Sequence, residues 1–490
     1  MKAKVKIHPS EALGQIDPMV YGQYFEHVED CVYPALLDDN GLRHDVIDVA
    51  KGLQVPLVRW PGGCFADIYD WEDGIGPKDE RPTRLNWFWG GTESNQFGTD
   101  EFLHWCELTG ARPYVNVNMG TGSLEQAIRW LDYCNGTAET TDVKRRKANG
   151  RLNPYNVEFW GLGNETWGHW EPGHSDAKSY AHKLREWAQF FRKVSPDATL
   201  LAVGSEGGND PDWDKTVLRI AGEFIDYLTI HMYGHTTHLF DPDDYYATVS
   251  NAVSFEERLS SFCQVIEEAR EEYGIDRPIH VSVDEWNIRH LELKPGASEP
   301  VLKRSSPRTL KDALFVAGVI HGMHRQSALV KMGCHVFFAN GNAVLNVHES
   351  GVLNSAIADV FRIYREQLTG TALAVEKIQV PSVKLPVRQK QLESKIQAVD
   401  LLDISAVDQG NGQINVAIIN RHKSEKVKLS IELAGYKLAD SQVLYDDDVL
   451  AVNSLEEPNR VVFRDFELQE NEGVVKLLPH SITVLQYRLG

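Results

Sequence analysis

Eight short apolar runs punctuate the chain before residue 340, at 19–26, 55–61, 112–118, 157–163, 199–204, 226–233, 278–284 and 332–339. They are rich in Val, Ile, Leu and aromatic residues, a texture that predicts strands buried on both faces. Between most of them lie stretches of helical length, 98–109, 123–134, 175–194, 255–274 and 308–325, in which apolar residues recur every three or four positions. Alternation of strand and helix predicts a parallel sheet with crossover helices. Eight such units fit a closed (β/α)8 TIM barrel better than an open doubly wound sheet. Gly161-Leu-Gly-Asn-Glu-Thr and Gly120-Thr-Gly-Ser-Leu-Glu carry the first two glycines of a dinucleotide fingerprint but not the third, so no nucleotide cofactor is expected.

Beyond Arg365 the pattern changes. Runs at 373–380, 396–407, 413–420, 425–433, 441–446, 460–467 and 480–488 read as strands joined by turn signals such as Asn411-Gly412. The expected architecture is α/β: a catalytic barrel over residues 1–370, followed by an all-β sandwich of jelly-roll-like kind over 371–490. The opening Met1-Lys-Ala-Lys-Val-Lys-Ile-His alternates polar and apolar residues, so strand 2–8 is a candidate to join the β domain. All twelve Trp residues lie at or before Trp286, so the two regions have different cores. The β domain reads as a packing and solubility module.

A formal net charge of −20 disfavours nucleic acid and anionic membranes as partners and suits a neutral substrate. No run approaches the roughly 18 apolar residues of a membrane span. Cys31, Cys64, Cys106, Cys134, Cys263 and Cys334 form no CxxC pair and read as reduced thiols, which with the absence of a secretion-signal pattern favours a cytoplasmic location.

Two of the apolar runs stop on carboxylates. Val157-Glu-Phe-Trp-Gly-Leu-Gly ends at Asn164 and Glu165, and Pro278-Ile-His-Val-Ser-Val ends at Asp284 and Glu285. An ionised Glu beside a buried strand needs a partner or a cleft. At the C-terminal face of one barrel both would share a pocket, and paired carboxylates there are the equipment of a glycosidase. Retaining hydrolysis needs a nucleophile and a proton donor about 5 Å apart. Asn164 is placed to hydrogen-bond the sugar hydroxyl beside the reacting carbon.

The pairing of Gly163-Asn164-Glu165 with Asp284-Glu285-Trp286-Asn287 resembles the barrel glycosidases whose catalytic glutamates follow strands four and seven. Tyr21-Gly-Gln-Tyr-Phe-Glu26-His27, Arg59-Trp-Pro-Gly-Gly-Cys64-Phe65, Tyr69-Asp-Trp-Glu-Asp-Gly-Ile-Gly-Pro77 and Thr92-Glu-Ser-Asn-Gln-Phe-Gly98 look more closely like family 51 of the glycoside hydrolases, mainly α-L-arabinofuranosidases. The likeness runs from about residue 19 to 290. It implies that Glu165 is the general acid/base and Glu285 the nucleophile, and that Glu26, Asn164 and Tyr233 bind the reacting sugar. It further implies that Trp89 lines the leaving-group side, that Cys64 and His231 face substrate, that no cofactor or metal is used, and that the protein is a homo-oligomer.

The implied reaction is retaining, exo-acting release of L-arabinofuranose from arabinan- or arabinoxylan-derived oligosaccharides. Three substrate-facing places depart from the family pattern: Cys64 in place of the Asn of many members, Phe337-Phe-Ala-Asn-Gly-Asn342 after the eighth strand, and Arg289 or His290 where an aromatic is usual. Alternatives on the same scaffold are a β-xylosidase or an endo-β-glucanase, and outside catalysis a carbohydrate-binding protein. His231, His235, His238 and Asp241 raise a zinc site, but their spacing matches no strong motif.

Overall fold

In a computed structural model, which describes residues 1–385, 397–467 and 473–490, the eight runs form parallel strands. They are Gly22–Tyr24, Leu57–Trp60, Arg112–Val117, Phe159–Leu162, Thr199–Glu206, Tyr227–Thr236, His280–Glu292 and Val330–His335. Each pairs with the next, and the last pairs with the first, so the barrel closes.

The period of two along each strand sorts side chains between two environments. In the second strand Leu57 and Arg59 point inward while Val58 and Trp60 meet the helices. Tyr114, Phe159, Leu201, Tyr227 and Met332 fill the inside in the same way, and Val115, Trp160, Leu200, Leu228 and Val281 pack outward. The interior is a packed core, so reactive groups are confined to the C-terminal rim.

Four expected helices match within about two residues at each end, an ordinary margin: Thr99–Thr109, Leu124–Asn135, Ala177–Val194 and Leu310–Arg325. The fifth begins at Tyr245 rather than at 255. In its first turns, Ala-Thr-Val-Ser-Asn-Ala-Val-Ser, the Thr, Val, Ser and Asn are weak helix formers, but burial of Ala247, Val249 and Ala252 overrides their propensity. The seventh strand runs past its expected end at 284 to Glu292, where Leu291 and Glu292 pair antiparallel with Leu302 and Val301. Glu285 is therefore inside a hydrogen-bonded ladder, not beyond it.

Among the described residues the C-terminal region forms a nine-stranded sheet. The N-terminal strand Lys2–Gln15 lies within it, antiparallel to Thr371–Gln379 and parallel to Val427–Glu432. The expected strand 396–407 begins at a residue outside the described ones; within them its span is carried by Ala398–Asp400 and Leu402–Asp408. One sheet face buries Val5, Ile404, Val416, Leu429, Val475 and Tyr487 together, although these strands are far apart in the order, so the sheet curls around its own core. The opposite face sends Val407, Ala417, Ile419, Ile482 and Val484 into the barrel's core.

Candidate active site

The rim of the seventh strand is shaped by a bulge. Ile230 pairs with Val283 and His231 with Glu285, so Asp284 is an extra residue opposite the sixth strand. A one-residue insertion interrupts the alternation and lets two consecutive side chains share a face. Both carboxylates turn inward onto Arg59, whose Nε lies 3.1 Å from Asp284 Oδ2 and whose Nη1 lies 2.6 Å from Glu285 Oε1. Arg59 is fully buried, and its remaining nitrogen donates to Asn164 Oδ1 at 2.9 Å. Tyr114 donates to Asp284 at 3.0 Å, and Tyr233 donates to Glu285 Oε2 at 2.6 Å.

Glu165 sits three residues past the fourth strand in a tight turn. Gly163 has φ +98° and Glu165 itself φ +40°, a left-handed backbone that a side chain with a Cβ rarely adopts. The turn aims the carboxylate at the barrel axis. His231 Nδ1 is 2.8 Å from Oε1, and Trp170 Nε1 donates to Oε2 at 3.2 Å. One oxygen of Glu165, a ring nitrogen of His231 and one oxygen of Glu285 all lie within 4.8 Å of one another.

Glu26 forms the pocket's third carboxylate. It accepts from Tyr24 Oη, the Phe65 backbone N–H and Trp89 Nε1, each at 3.0 Å. Pro61-Gly62-Gly63 must pass hard against these groups: a Cβ at Gly63 would stand 2.5 Å from Glu285 Oε1, and one at Gly62 2.5 Å from Glu26 Cγ. Only glycine lets the loop deliver Cys64 to this wall.

Burial would push the Glu285 carboxyl up, but the charges of His231 and Arg59 and the Tyr233 hydrogen bond hold it below the ordinary glutamate range. Burial opposes charge on His231 as well, yet Glu285, Asp284 and Glu165 raise its pKa to about 10. Burial and the neighbouring Glu285 raise Glu26. Glu171 is 4% exposed, and burial pushes it up to about 9. Its Oε1 accepts from Asn164 Nδ2 at 3.3 Å, and its oxygen stands within 4.8 Å of Cys64 Sγ and a Glu165 oxygen.

Residues 49–251 match the family described as "Alpha-L-arabinofuranosidase 1 domain" and residues 284–481 match "Alpha-L-arabinofuranosidase C-terminal domain". The chain is 32% identical to "Alpha-L-arabinofuranosidase C" of Emericella nidulans over 99% of its own length and 97% of the relative's. It is 30% identical to the "Intracellular exo-alpha-L-arabinofuranosidase" of Bacteroides ovatus, covering 99% and 95%. Among solved structures, the thermostable GH51 α-L-arabinofuranosidase of Thermotoga petrophila superposes with TM-score 0.86 at 30% identity, covering 99% of this chain and all of that one. The chain belongs to glycoside hydrolase family 51.

In this family 51 chain Glu26, Cys64, Trp89, Glu165, Tyr233 and Glu285 line one pocket together with Tyr24, Asn287, Arg289, Leu302 and Arg304. Asn164 and His231 stand behind that wall, each bonded to a residue on or next to it. Trp89 does more than offer a face, since its indole N–H is spent on Glu26. Trp170 touches Glu165, whereas Trp167 donates to the Gly204 carbonyl and belongs to the loop base. Glu26 and His27 do not pair with each other; His27 is 2.8 Å from Glu93. Among the described residues His231, His235, His238 and Asp241 do not gather as one ligand set; His238 faces His290 and Asp312 instead. Sequence reasoning missed Arg59, Tyr24 and Glu171 as members of the site. An arginine inside the apolar run Leu57-Val-Arg-Trp60 was the available signal for the first.

Proposed function

We propose that this family 51 chain is a retaining, exo-acting α-L-arabinofuranosidase with Glu285 as nucleophile and Glu165 as acid/base. The observation that carries the proposal is the spacing of Glu165 and Glu285, with carboxylate oxygens within 4.8 Å. That is the short separation of retaining enzymes, too narrow for the water an inverting enzyme places between its carboxylates.

In the first step Glu285 Oε attacks the anomeric carbon, and the bond to the leaving oxygen breaks as Glu165 transfers its proton to that oxygen. Arg59, Tyr233 and His231 favour the ionised Glu285 this requires. In the second step Glu165 takes a proton from water, whose oxygen attacks the same carbon and releases Glu285. Glu26, Asn164, Cys64 and Tyr233 are assigned to the sugar hydroxyls, and Trp89 to the wall beside the leaving group. A nearly buried floor of Tyr24, Glu26 and Glu285 supports end-on binding of a terminal sugar, hence exo action. Arabinan- and arabinoxylan-derived oligosaccharides are the substrates inferred. In this reading the barrel within 1–370 is the catalytic unit, and 371–490 together with the strand Lys2–Gln15 is its β domain.

Six free cysteines, five of them buried, and the name of the Bacteroides relative support a cytoplasmic location. A homo-oligomer is inferred from the family likeness. The test of function is a panel of nitrophenyl glycosides. Release from the α-L-arabinofuranoside is expected; release from the xyloside or cellobioside with none from the arabinofuranoside would sink the proposal.

A further inference from the structure

We infer that the mouth of this pocket is a leaving-group subsite for an anionic sugar, a hexuronate joined to the arabinose, held by Arg289 and Arg304. The inference rests on the arabinofuranosidase reading above and adds an acidic leaving unit to the neutral pentoses that reading names.

Depth separates the two ends of the pocket. Tyr24, Glu26 and Glu285 are 1, 3 and 6% exposed, whereas Leu302 is 38% exposed and Arg289 and Arg304 are half-buried. The sugar attacked by Glu285 occupies the floor, so the group it leaves behind must pass the two arginines.

The extended seventh strand builds that mouth. Past the bulge the alternation resumes, and Glu285, Asn287 and Arg289 all line the pocket while Trp286 and Ile288 are fully buried on the other face. Arg289 leans back over the Tyr233 ring, its Cζ 3.5 Å from the centroid. Stacking fixes the plane of the guanidinium and leaves its edge N–H groups for a carboxylate, a geometry lysine cannot copy. Among the described residues no carboxylate forms an ion pair with Arg289. Arg304 lies over Trp89 at 5.2 Å and is bonded to Glu29 at 2.9 Å, so its charge is only partly open.

Three carboxylates line the same pocket, and each has compensation elsewhere. Glu285 is held by Arg59, Glu165 by His231, and Glu26 by three neutral donors. Arg289 is therefore not the counter-charge of the catalytic centre. The net charge of −20 repels a polymer dense in carboxylates, but a single uronate at the mouth lies within a Debye length of Arg289, about 8 Å at physiological salt. Short acidic oligosaccharides fit this balance better than acidic polysaccharide.

The experiment compares an α-L-arabinofuranosyl disaccharide whose second unit is a hexuronic acid with its methyl ester, identical in linkage. kcat/KM is measured for wild type, Arg289→Gln and Arg304→Gln at low and at high salt. Wild type should favour the acid about fivefold at low salt, the worth of one partly exposed ion pair. The ratio should fall toward one in Arg289→Gln, fall less in Arg304→Gln, and shrink in wild type at high salt. Because each ratio is internal to one protein, a general loss of activity cancels. Should Arg289→Gln fail to fold, Arg304→Gln and the salt response of wild type carry the test. Hydrolysis of both compounds at equal rates by wild type, or a ratio unchanged in Arg289→Gln, overturns the subsite and leaves the arabinofuranosidase reading standing. No hydrolysis of either compound or of the nitrophenyl arabinofuranoside overturns both.

Discussion

Glu165→Ala separates the two duties assigned to this residue. A general acid contributes roughly 10²- to 10⁴-fold to a step that needs its proton. A natural disaccharide leaves as a sugar alkoxide and should lose that whole factor, so a fall of about 10³ is expected. A nitrophenyl arabinofuranoside leaves as a stabilised anion, and its first step should fall only about tenfold. The second step still lacks its base, so the glycosyl-enzyme accumulates and nitrophenolate appears as a burst. The structure adds a reason to expect rescue by azide. His231 Nδ1 at 2.8 Å and Trp170 Nε1 at 3.2 Å both point at the Glu165 carboxylate, and both remain when it is removed. With the carboxylate gone, these two groups border a space that faces the covalent intermediate and can admit a small anion. Azide bound there needs no deprotonation and should raise turnover at least about tenfold, giving an arabinosyl azide of the substrate's configuration. Stopped-flow absorbance reads the burst, and mass spectrometry finds the sugar on Glu285. Equal losses on both substrates, with no burst and no azide product, would refute the assignment, and Glu26 would be the first residue to test in its place.

Glu285→Ala should abolish turnover of every substrate, and azide should yield no product of retained configuration; a tenth of wild-type activity in the purified variant would exclude it as nucleophile. Burial raises the Glu285 carboxyl and the His231 charge is the strongest influence opposing it, so the acid limb of the kcat/KM profile should lie below the ordinary glutamate range. In His231→Asn that limb should move to higher pH; an unmoved limb counts against the ion pair. Glu171, raised from 4.5 to about 9, binds its proton more tightly in the folded state than in the unfolded chain. Its stabilising effect is complete below about pH 4.5 and declines as pH rises toward 9, at up to about 1.4 kcal/mol per pH unit. Glu171→Gln keeps an acceptor for Asn164 without the titration, so its Tm should exceed that of wild type at pH 8 and match it near pH 4.5; the same difference at both pH values would contradict the shift.

The barrel was legible because each strand is an apolar run buried on two faces and each long helix repeats every three to four residues. Glu165 and Glu285 were legible for a thermodynamic reason, since a carboxylate ending such a run has no other comfortable place. The bulge at Asp284 was not, because register is set by pairing with Ile230 and His231 across the sheet and leaves no mark in the local pattern. Its consequence was hidden too: Asp284 and Glu285 both face inward, and Arg59 is needed to hold them. Glu171 was obscured by its surroundings, a polar stretch of Gly-His-Trp-Glu-Pro-Gly that reads as an exposed loop, whereas the fold buries it against Asn164 and Cys64. In the β domain the strand Val474–Leu477 was missed because four residues are too few to show alternation, yet it pairs with Val427–Glu432 along its length.

No described residue of the C-terminal sheet lines the pocket, but the sheet reaches strand seven through one helix. Leu310–Arg325 is buried from Leu310 to His324, apolar on more faces than a barrel helix at the surface could carry into water. Strands Leu402–Asp408, Gln413–Asn420 and Ser481–Leu489 cover its outer side. Polar groups fix the register of that contact. Arg325 donates to Asp403 at 2.8 Å, Arg421 pairs with the same carboxylate, and His324 Nδ1 lies 2.8 Å from Ser405 Oγ. Asp403 is buried, yet the two arginines hold it well below the usual carboxylate range. A buried pair of this kind adds little net stability against an apolar replacement, but losing one partner is costly, about 3–5 kcal/mol, so it penalises any slip of sheet against helix. The opposite end of the helix closes on the extension of strand seven: Asp312 Oδ2 is 2.9 Å from His290 Nε2, and Arg308, just before the helix, donates to the Ile288 carbonyl at 2.7 Å. Those two residues flank Arg289 and follow Glu285 on the same strand. The sheet thus positions the pocket wall by holding the helix that holds the strand.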